Sequence, residues 1–471
     1  MTDYREPGRR FGDDFIFGTA TAAYQIEGAV TEDGRGPSIW DTFSHTPGRT
    51  LGGETGDVAC DSYHRWESDL DLMASYGIDA YRFSVAWPRI IPTGTGAANQ
   101  AGLDYYSRFV DGLLERGIKP VVTLYHWDLP QALEDAGGWP ERATAEAFAA
   151  YAKVVGEALG DRVDTWTTLN EPWCAAYLGY GVGVHAPGRA DPVAALRAVH
   201  HLNLGHGLAV QALRSVVSPE AKMSVTNNLT TVRPASDDPA DIHAADKDRA
   251  LANGVFTGPQ LKGEYPPLAF EVTAKLTDWS FVQDGDLAQI QQPIDVLGLN
   301  WYTPRTVTQG TPPPPTPSPM PSVSPGNEDV QDVFEDGDRT EMGWLVDPSG
   351  LEELLLDLGR EFPAMPIVVT ENGCAYDDPV VDGRCHDARR VDYLQRHLTA
   401  VHRAIEGGTN VVGYFVWSLM DNYEWSFGYS KRFGITHVDF ETQQRTPRDS
   451  ALWYSTLART HEIPENDAFS S

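Results

Sequence analysis

The chain is predicted to fold as an α/β protein, a single (β/α)8 TIM barrel with elaborated βα loops. Eight short β-like segments recur along it, and most are followed by a helix-like stretch. The segments are continuous apolar or β-branched runs rather than alternating ones, as expected of strands covered by helices on both faces. Each also runs into a polar or aromatic tip. In a (β/α)8 barrel the chemistry gathers at the C-terminal strand ends.

Taken in order, Phe15–Ala20 leads towards Gln25, and Ala80–Val85 carries Arg82. A helix follows, with Tyr105, Phe109, Val110, Leu113 and Leu114 expected on its buried face and Gly117 as its stop. Pro120–Leu124 runs into His126 and Trp127, and a second helix over Ala143–Leu159 turns Phe148, Tyr151, Val155 and Leu159 inward. Thr165–Leu169 ends at Asn170 and Glu171. Asp191 then caps a third helix whose first turn holds Pro192. Met223–Asn227 reaches Asn228, Val296–Leu299 reaches Asn300 and Tyr302, Ile367–Thr370 reaches Glu371, and Val411–Trp417 ends the series. Residues 311–325 (TPPPPTPSPMPSVSP) interrupt the alternation between the sixth and seventh segments. Their proline content favours an extended loop, read as a surface insertion on the active face. The barrel is assigned to residues 11–460, with polar tails at 1–10 and 461–471.

With 41% hydrophobic and 22% charged residues, the 471-residue chain has ample material for a large core. Its formal charge of −31 opposes binding to phosphate backbones, so nucleic acid is excluded as a partner. No apolar run is long enough to span a bilayer, and the first ten residues lack an apolar leader core. Cys60, Cys174, Cys374 and Cys385 have no CxxC spacing and are read as unpaired thiols of a cytoplasmic protein. His200, His201 and His206 share one helical stretch without a carboxylate placed to complete a metal site, so no metal or cofactor is expected.

Glu171 and Glu371 are the candidate catalytic residues. Each ends a β-like run in a short polar context, Asn170-Glu171-Pro172 and Thr370-Glu371-Asn372-Gly373. Two carboxyl groups at strand ends are what retaining glycoside hydrolysis requires, one as acid/base and one as nucleophile, ~5–5.5 Å apart. At that separation like charges repel by roughly 3 kcal/mol at an effective dielectric of about 20, so one carboxyl stays protonated while the other ionises. Elementary electrostatics does not assign the two roles.

Further motifs stand in order around the pair: Phe15–Gly28 (FIFGTATAAYQIEG), Tyr81-Arg82-Phe83-Ser84, Tyr125-His126-Trp127-Asp128, Asn300-Trp301-Tyr302 and Trp417–Asn422 (WSLMDN). With these the chain resembles family 1 of the glycoside hydrolases, the β-glucosidase family, from Phe11 to Leu457. The resemblance implies Glu171 as acid/base and Glu371 as nucleophile, held by Arg82 and Tyr302. It implies Asn170 on the sugar 2-hydroxyl, and Gln25, His126, Trp127, Glu424 and Trp425 on the other hydroxyls. Trp417 would form the platform under the ring and Trp344 the leaving-group side. Leu169 and Trp301 stand where phenylalanine and tyrosine are frequent in the family.

Glu424 bears on the substrate. Relatives acting on 6-phosphorylated sugars carry serine there with a lysine and tyrosine nearby. Here Lys431 is present, but Glu424 would repel a phosphate and Phe433 cannot hydrogen-bond one. A retaining exo-acting β-glucosidase is therefore expected, acting on small or oligosaccharide β-glucosides as in cellulose degradation. The alternatives are a β-galactosidase, β-fucosidase or transglycosylating relative, and a catalytically silent carbohydrate-binding barrel, which would be expected to lack one glutamate.

Overall fold

The computed structural model describes residues 3–310 and 323–466. Eight parallel strands form a closed barrel in chain order: β1 (Ile16–Ala20), β2 (Ala80–Ser84), β3 (Lys119–Tyr125), β4 (Thr165–Asn170), β5 (Lys222–Asn228), β6 (Val296–Asn300), β7 (Ile367–Asn372) and β8 (Val411–Trp417). Strand β8 closes on β1, with Trp417 opposite Ala20. Every residue of β2, β4 and β6 is buried, which explains the continuous apolar and β-branched runs in the sequence. The strand bounds follow the sequence expectation to within one or two residues.

The outer ring includes α1 (Ser62–Tyr76), α2 (Gln100–Glu115), α3 (Arg142–Leu159), α4 (Pro192–Arg214), α5 (Pro239–Arg249), α6 (Pro348–Glu361), α7 (Ala388–Glu406) and α8 (Asp449–Thr460). Asp191 caps α4 as expected, its carboxylate accepting from the backbone N–H groups of Val193 and Ala194. Two tyrosines seat helices on strand ends. Tyr151 of α3 donates to the carbonyls of Val85 and Leu124, and Tyr454 of α8 to those of Gly18 and Tyr414. One expected core residue is displaced. Leu114 is 41% exposed, because the stripe of Tyr105, Phe109, Val110 and Leu113 fills the contact with the barrel and Leu114 falls outside it in the last turn.

The β5–β6 connection is more elaborate than one helix. After α5 it continues through wide helical turns at Ala250–Gly254 and Gly258–Lys262. A three-stranded sheet of Val232–Pro234, Arg305–Gln309 and Val330–Asp332 flanks it. Of the proline-rich segment, residues 311–322 lie outside the described residues, while Val323–Pro325 are buried.

The loop after β8 is anchored by a buried ion pair. Arg448 donates to both oxygens of Asp421, at 2.8 and 3.0 Å, and Arg432 adds a third bond at 2.8 Å. Both Arg448 and Asp421 are fully buried. Removing the guanidinium strands a carboxylate in the interior, so Arg448→Met is expected to destabilise the protein by about 3–5 kcal/mol. Denaturant unfolding measures this; a loss below about 1 kcal/mol would show that the pair does not hold the loop.

Candidate active site

The C-terminal strand ends bring Glu171 and Glu371 into one polar network. Glu371, on β7, pairs in register with Asn300 at the end of β6. Arg82 on β2 donates to its Oε1 at 2.6 Å and Tyr302 to its Oε2 at 2.7 Å. Glu171, just past β4, is held differently: Asn300 donates to its Oε1 at 2.7 Å and the Cys174 thiol to its Oε2 at 3.0 Å. One carboxylate thus faces a cation and a phenol, the other two neutral donors. Glu171 (φ 45°), Trp127 (φ 79°) and Trp425 (φ 50°) all occupy the left-handed region, strain of about 1–3 kcal/mol each that the surrounding packing must hold. Two residues after Glu371 only glycine fits, at Gly373, because the Trp417 carbonyl lies 1.8 Å from where a Cβ would sit.

The same network sets side-chain orientations. Asn170 accepts on Oδ1 from Arg82 at 2.6 Å and from Asn300 at 3.0 Å. Its Nδ2 therefore points at His126 Nε2, 3.0 Å away. With Nε2 accepting, a neutral His126 carries its hydrogen on Nδ1, which has no protein partner among the described residues. Burial and the nearby Arg82 charge push His126 well below the usual imidazole range, so the neutral form is the relevant one.

Around these polar groups stands an aromatic wall. The His126 ring stacks on both Trp417 and Trp425, with centroids 5.8 and 5.9 Å away, and Trp127 packs 4.5 Å from Trp425. Trp344 is partly buried beside Tyr302 at 5.0 Å and Phe433 at 6.1 Å. Gln25 lies on a short helix, Ala23–Ile26, beyond β1. Its Nε2 donates to Asn422, to the Tyr423 carbonyl and to Glu424, while its Oε1 has no protein partner among the described residues. The structure thus gathers Gln25, Arg82, His126, Trp127, Asn170, Glu171, Tyr302, Glu371, Trp417, Glu424 and Trp425, with Trp344 at the edge. Lys431 points elsewhere, donating to the Glu341 carbonyl.

Of the three buried carboxyls, only Glu371 is bonded by the Arg82 guanidinium. Burial, then the Glu371 charge, pushes Glu171 up to about 7. Burial, then the charges of Glu371 and Glu171, pushes Glu424 up to about 8. Burial raises Glu371 as well, but Arg82 and Tyr302 pull it back. Glu371 is therefore the one the site holds ionised.

Comparison with known proteins identifies the family. A sequence model described as Glycosyl hydrolase family 1 matches residues 8–463. The chain belongs to glycosyl hydrolase family 1. A bifunctional β-D-glucosidase/β-D-fucosidase of Bifidobacterium breve is 54% identical, over 96% of this chain and 98% of the relative. A β-glucosidase of an Agrobacterium species is 47% identical over 97% of each chain. Among solved structures, the psychrophilic β-glucosidase of Micrococcus antarcticus superimposes with a TM-score of 0.92 at 46% identity, covering 96% of this chain and 98% of that one. The family 1 β-glucosidase of Thermotoga maritima in complex with isofagomine lactam gives 0.91 at 44%, covering 97% and 100%.

Two members of this family 1 network were not singled out by the sequence reading. Asn300 was noted as a strand tip and as part of a motif but given no role, yet its amide bridges Glu171 and Asn170 while Thr370 donates to its carbonyl at 2.7 Å. Cys174 was counted only as a thiol; its position three residues after Glu171, on a helical turn, was the available signal. The histidines of α4 serve packing: His200 meets Tyr265 and Asp286, His201 the Trp139 carbonyl, and His206 Thr168. Among the described residues no cluster of His, Cys, Asp and Glu is suited to a metal, and the four cysteines are buried free thiols.

The raised carboxyl of Glu424 has a stability consequence. Its folded value of about 8 lies above the usual carboxylate range, so the folded state binds this proton more tightly. That contribution is present below about pH 4.5 and is lost as pH rises towards 8. Glu424→Gln, which never ionises, is therefore expected to gain about 1–3 kcal/mol over the parent at pH 8 and nothing at pH 4.5. Denaturation at both pH values reads the difference; a pH-independent offset would show that folding leaves the proton affinity of Glu424 unchanged.

Proposed function

We propose that the protein is a retaining, exo-acting β-glucosidase that removes terminal non-reducing β-D-glucosyl residues from cello-oligosaccharides and aryl β-glucosides. The observation that carries this is the unequal surroundings of the two carboxyls. Glu371, clamped by Arg82 and Tyr302, suits a nucleophile. Glu171, buried among neutral donors and pushed up to about 7, suits a general acid.

Glu371 attacks the anomeric carbon while Glu171 protonates the departing glycosidic oxygen. The aglycone alcohol leaves and an α-glycosyl ester forms on Glu371. Glu171, now ionised, takes a proton from water, whose oxygen attacks the same carbon. The Glu371 ester bond breaks, the β-sugar departs and Glu171 is again protonated. Asn170 would bind the 2-hydroxyl. His126 Nδ1 and Gln25 Oε1 offer one donor and one acceptor to other hydroxyls, and Trp417 offers an apolar face to the ring. Glu424 favours an unphosphorylated glycone. The Bifidobacterium relative supports β-fucosides as a second substrate class. Among the described residues no helix is long and apolar enough to cross a membrane. The unpaired thiols support a cytoplasmic site of action on soluble oligosaccharides from cellulose degradation.

Glu371→Gly is expected to lose hydrolysis and, with azide, to yield the β-glycosyl azide only if the roles are reversed; the expected product is the α-azide, distinguished by proton NMR. Glu171→Ala is expected to slow aryl glucosides with poor leaving groups by at least ~100-fold while sparing activated ones, whose departure needs little protonation. Equal losses on both would remove Glu171 as the acid. In the parent enzyme kcat/KM should fall as pH rises through about 7, where Glu171 loses its proton. An alkaline limb that persists unchanged in Glu171→Ala would belong to another group.

A further inference from the structure

We propose that Cys174 is a positioning residue that sets the proton affinity of Glu171 and serves it in both protonation states. This rests on the reading of Glu171 as acid/base. Glu171 opens the turn that carries Cys174, whose backbone N–H donates to the Glu171 carbonyl at 3.0 Å. The thiol then reaches back to Glu171 Oε2 at 3.0 Å, and Asn228 at the end of β5 approaches the sulfur at 3.7 Å. A wide helical turn, Cys174–Gly181, continues from this point and holds the thiol in place.

The other oxygen of the carboxyl decides what the thiol must do. Oε1 receives the Asn300 amide N–H, which can only donate. The acidic proton therefore resides on Oε2, on the Cys174 side. A carboxyl that alternates between acid and base needs there a neighbour that donates to the carboxylate and tolerates the protonated form. A thiol does both, since S–H is a weak donor and sulfur a weak acceptor. It also stays neutral throughout, because burial and the charges of Glu171, Glu371 and Glu424 push it well above the usual thiol range.

Glu171 is faced by Glu371 from β7, Glu424 from the loop after β8, Arg82 from β2 and Tyr302 from beyond β6, while His126 from beyond β3 meets the neighbouring Asn170. Among these, the charges of Glu371 and Arg82 act in opposite directions on its proton affinity. The thiol bond favours the ionised form, so its removal raises the Glu171 value further.

The test compares parent, Cys174→Ala and Cys174→Ser in pH profiles of kcat/KM, using aryl β-glucosides with good and poor leaving groups. Cys174→Ala is expected to move the alkaline limb upward by about 0.5 unit or more, and Cys174→Ser to restore it, since a hydroxyl also donates and accepts. A limb that stays in place in Cys174→Ala overturns the inference. The S–H stretching band of the intact enzyme supplies a second readout that needs no change at Cys174. It is expected to shift between pH 5 and pH 9 in the parent but not in Glu171→Gln. An unchanged band in the parent overturns the inference. Glu171→Ala run in parallel separates the two claims: loss of leaving-group selectivity there refutes the acid/base reading itself, whereas selectivity with an unmoved Cys174→Ala limb refutes only the role of the thiol.

Discussion

The site depends on a single buried cation. Arg82 is fully buried on β2 and reaches both Glu371 and Asn170, so one guanidinium holds the nucleophile candidate ionised and orients the amide beside it. An isolated buried carboxylate would take up a proton instead. With three carboxyls nearby and one cation among them, the charge can be compensated at only one position. Direct bonding assigns it to Glu371 and leaves Glu171 and Glu424 with raised proton affinity. The unequal surroundings of Glu371 and Glu171 follow from which carboxyl the guanidinium touches.

The barrel makes that assignment robust. Arg82, Asn170, Asn300 and Glu371 come from β2, β4, β6 and β7, strands of one closed barrel whose pairing register shifts just before Asn170 and Glu371. Their network locks amide orientations in sequence: Thr370 orients Asn300, Asn300 and Arg82 orient Asn170, and Asn170 orients His126. Each bond removes one rotational choice from the next residue, so the polar groups are arranged before any sugar arrives.

Most of this frame was legible in the sequence because a (β/α)8 barrel writes its chemistry at strand ends. Eight apolar runs ending in polar tips disclosed both the fold and the candidate site, and Asp191-Pro192 disclosed a helix start. Legibility failed where partners are distant in sequence or local periodicity is broken. Asn300 looked like one more polar tip, since nothing local reveals that its amide reaches both Asn170 and Glu171 at the end of β4. Leu114 obeyed the helical stripe but sits beyond the width that the barrel covers. The small sheet beside the β5–β6 connection stayed hidden because strands such as Val232–Pro234 are too short to show a period.

The arrangement also explains why a chain of this size accepts so much local cost in one place. Left-handed backbone at Glu171, Trp127 and Trp425, and three carboxyls within one buried pocket, all work against folding. They persist because the interior around them is rigid: Trp417, Trp425 and Trp127 pack against His126 or one another, and the Asp421–Arg448 pair pins the loop that presents Glu424. A softer pocket would let Glu171 relax away from Glu371 and let water in, and its proton affinity would return towards that of an ordinary carboxyl. The raised value is thus a property of the packing as much as of the residue. The acid strength needed near neutral pH is set by how tightly the aromatic wall and the buried ion pair hold the loops in register.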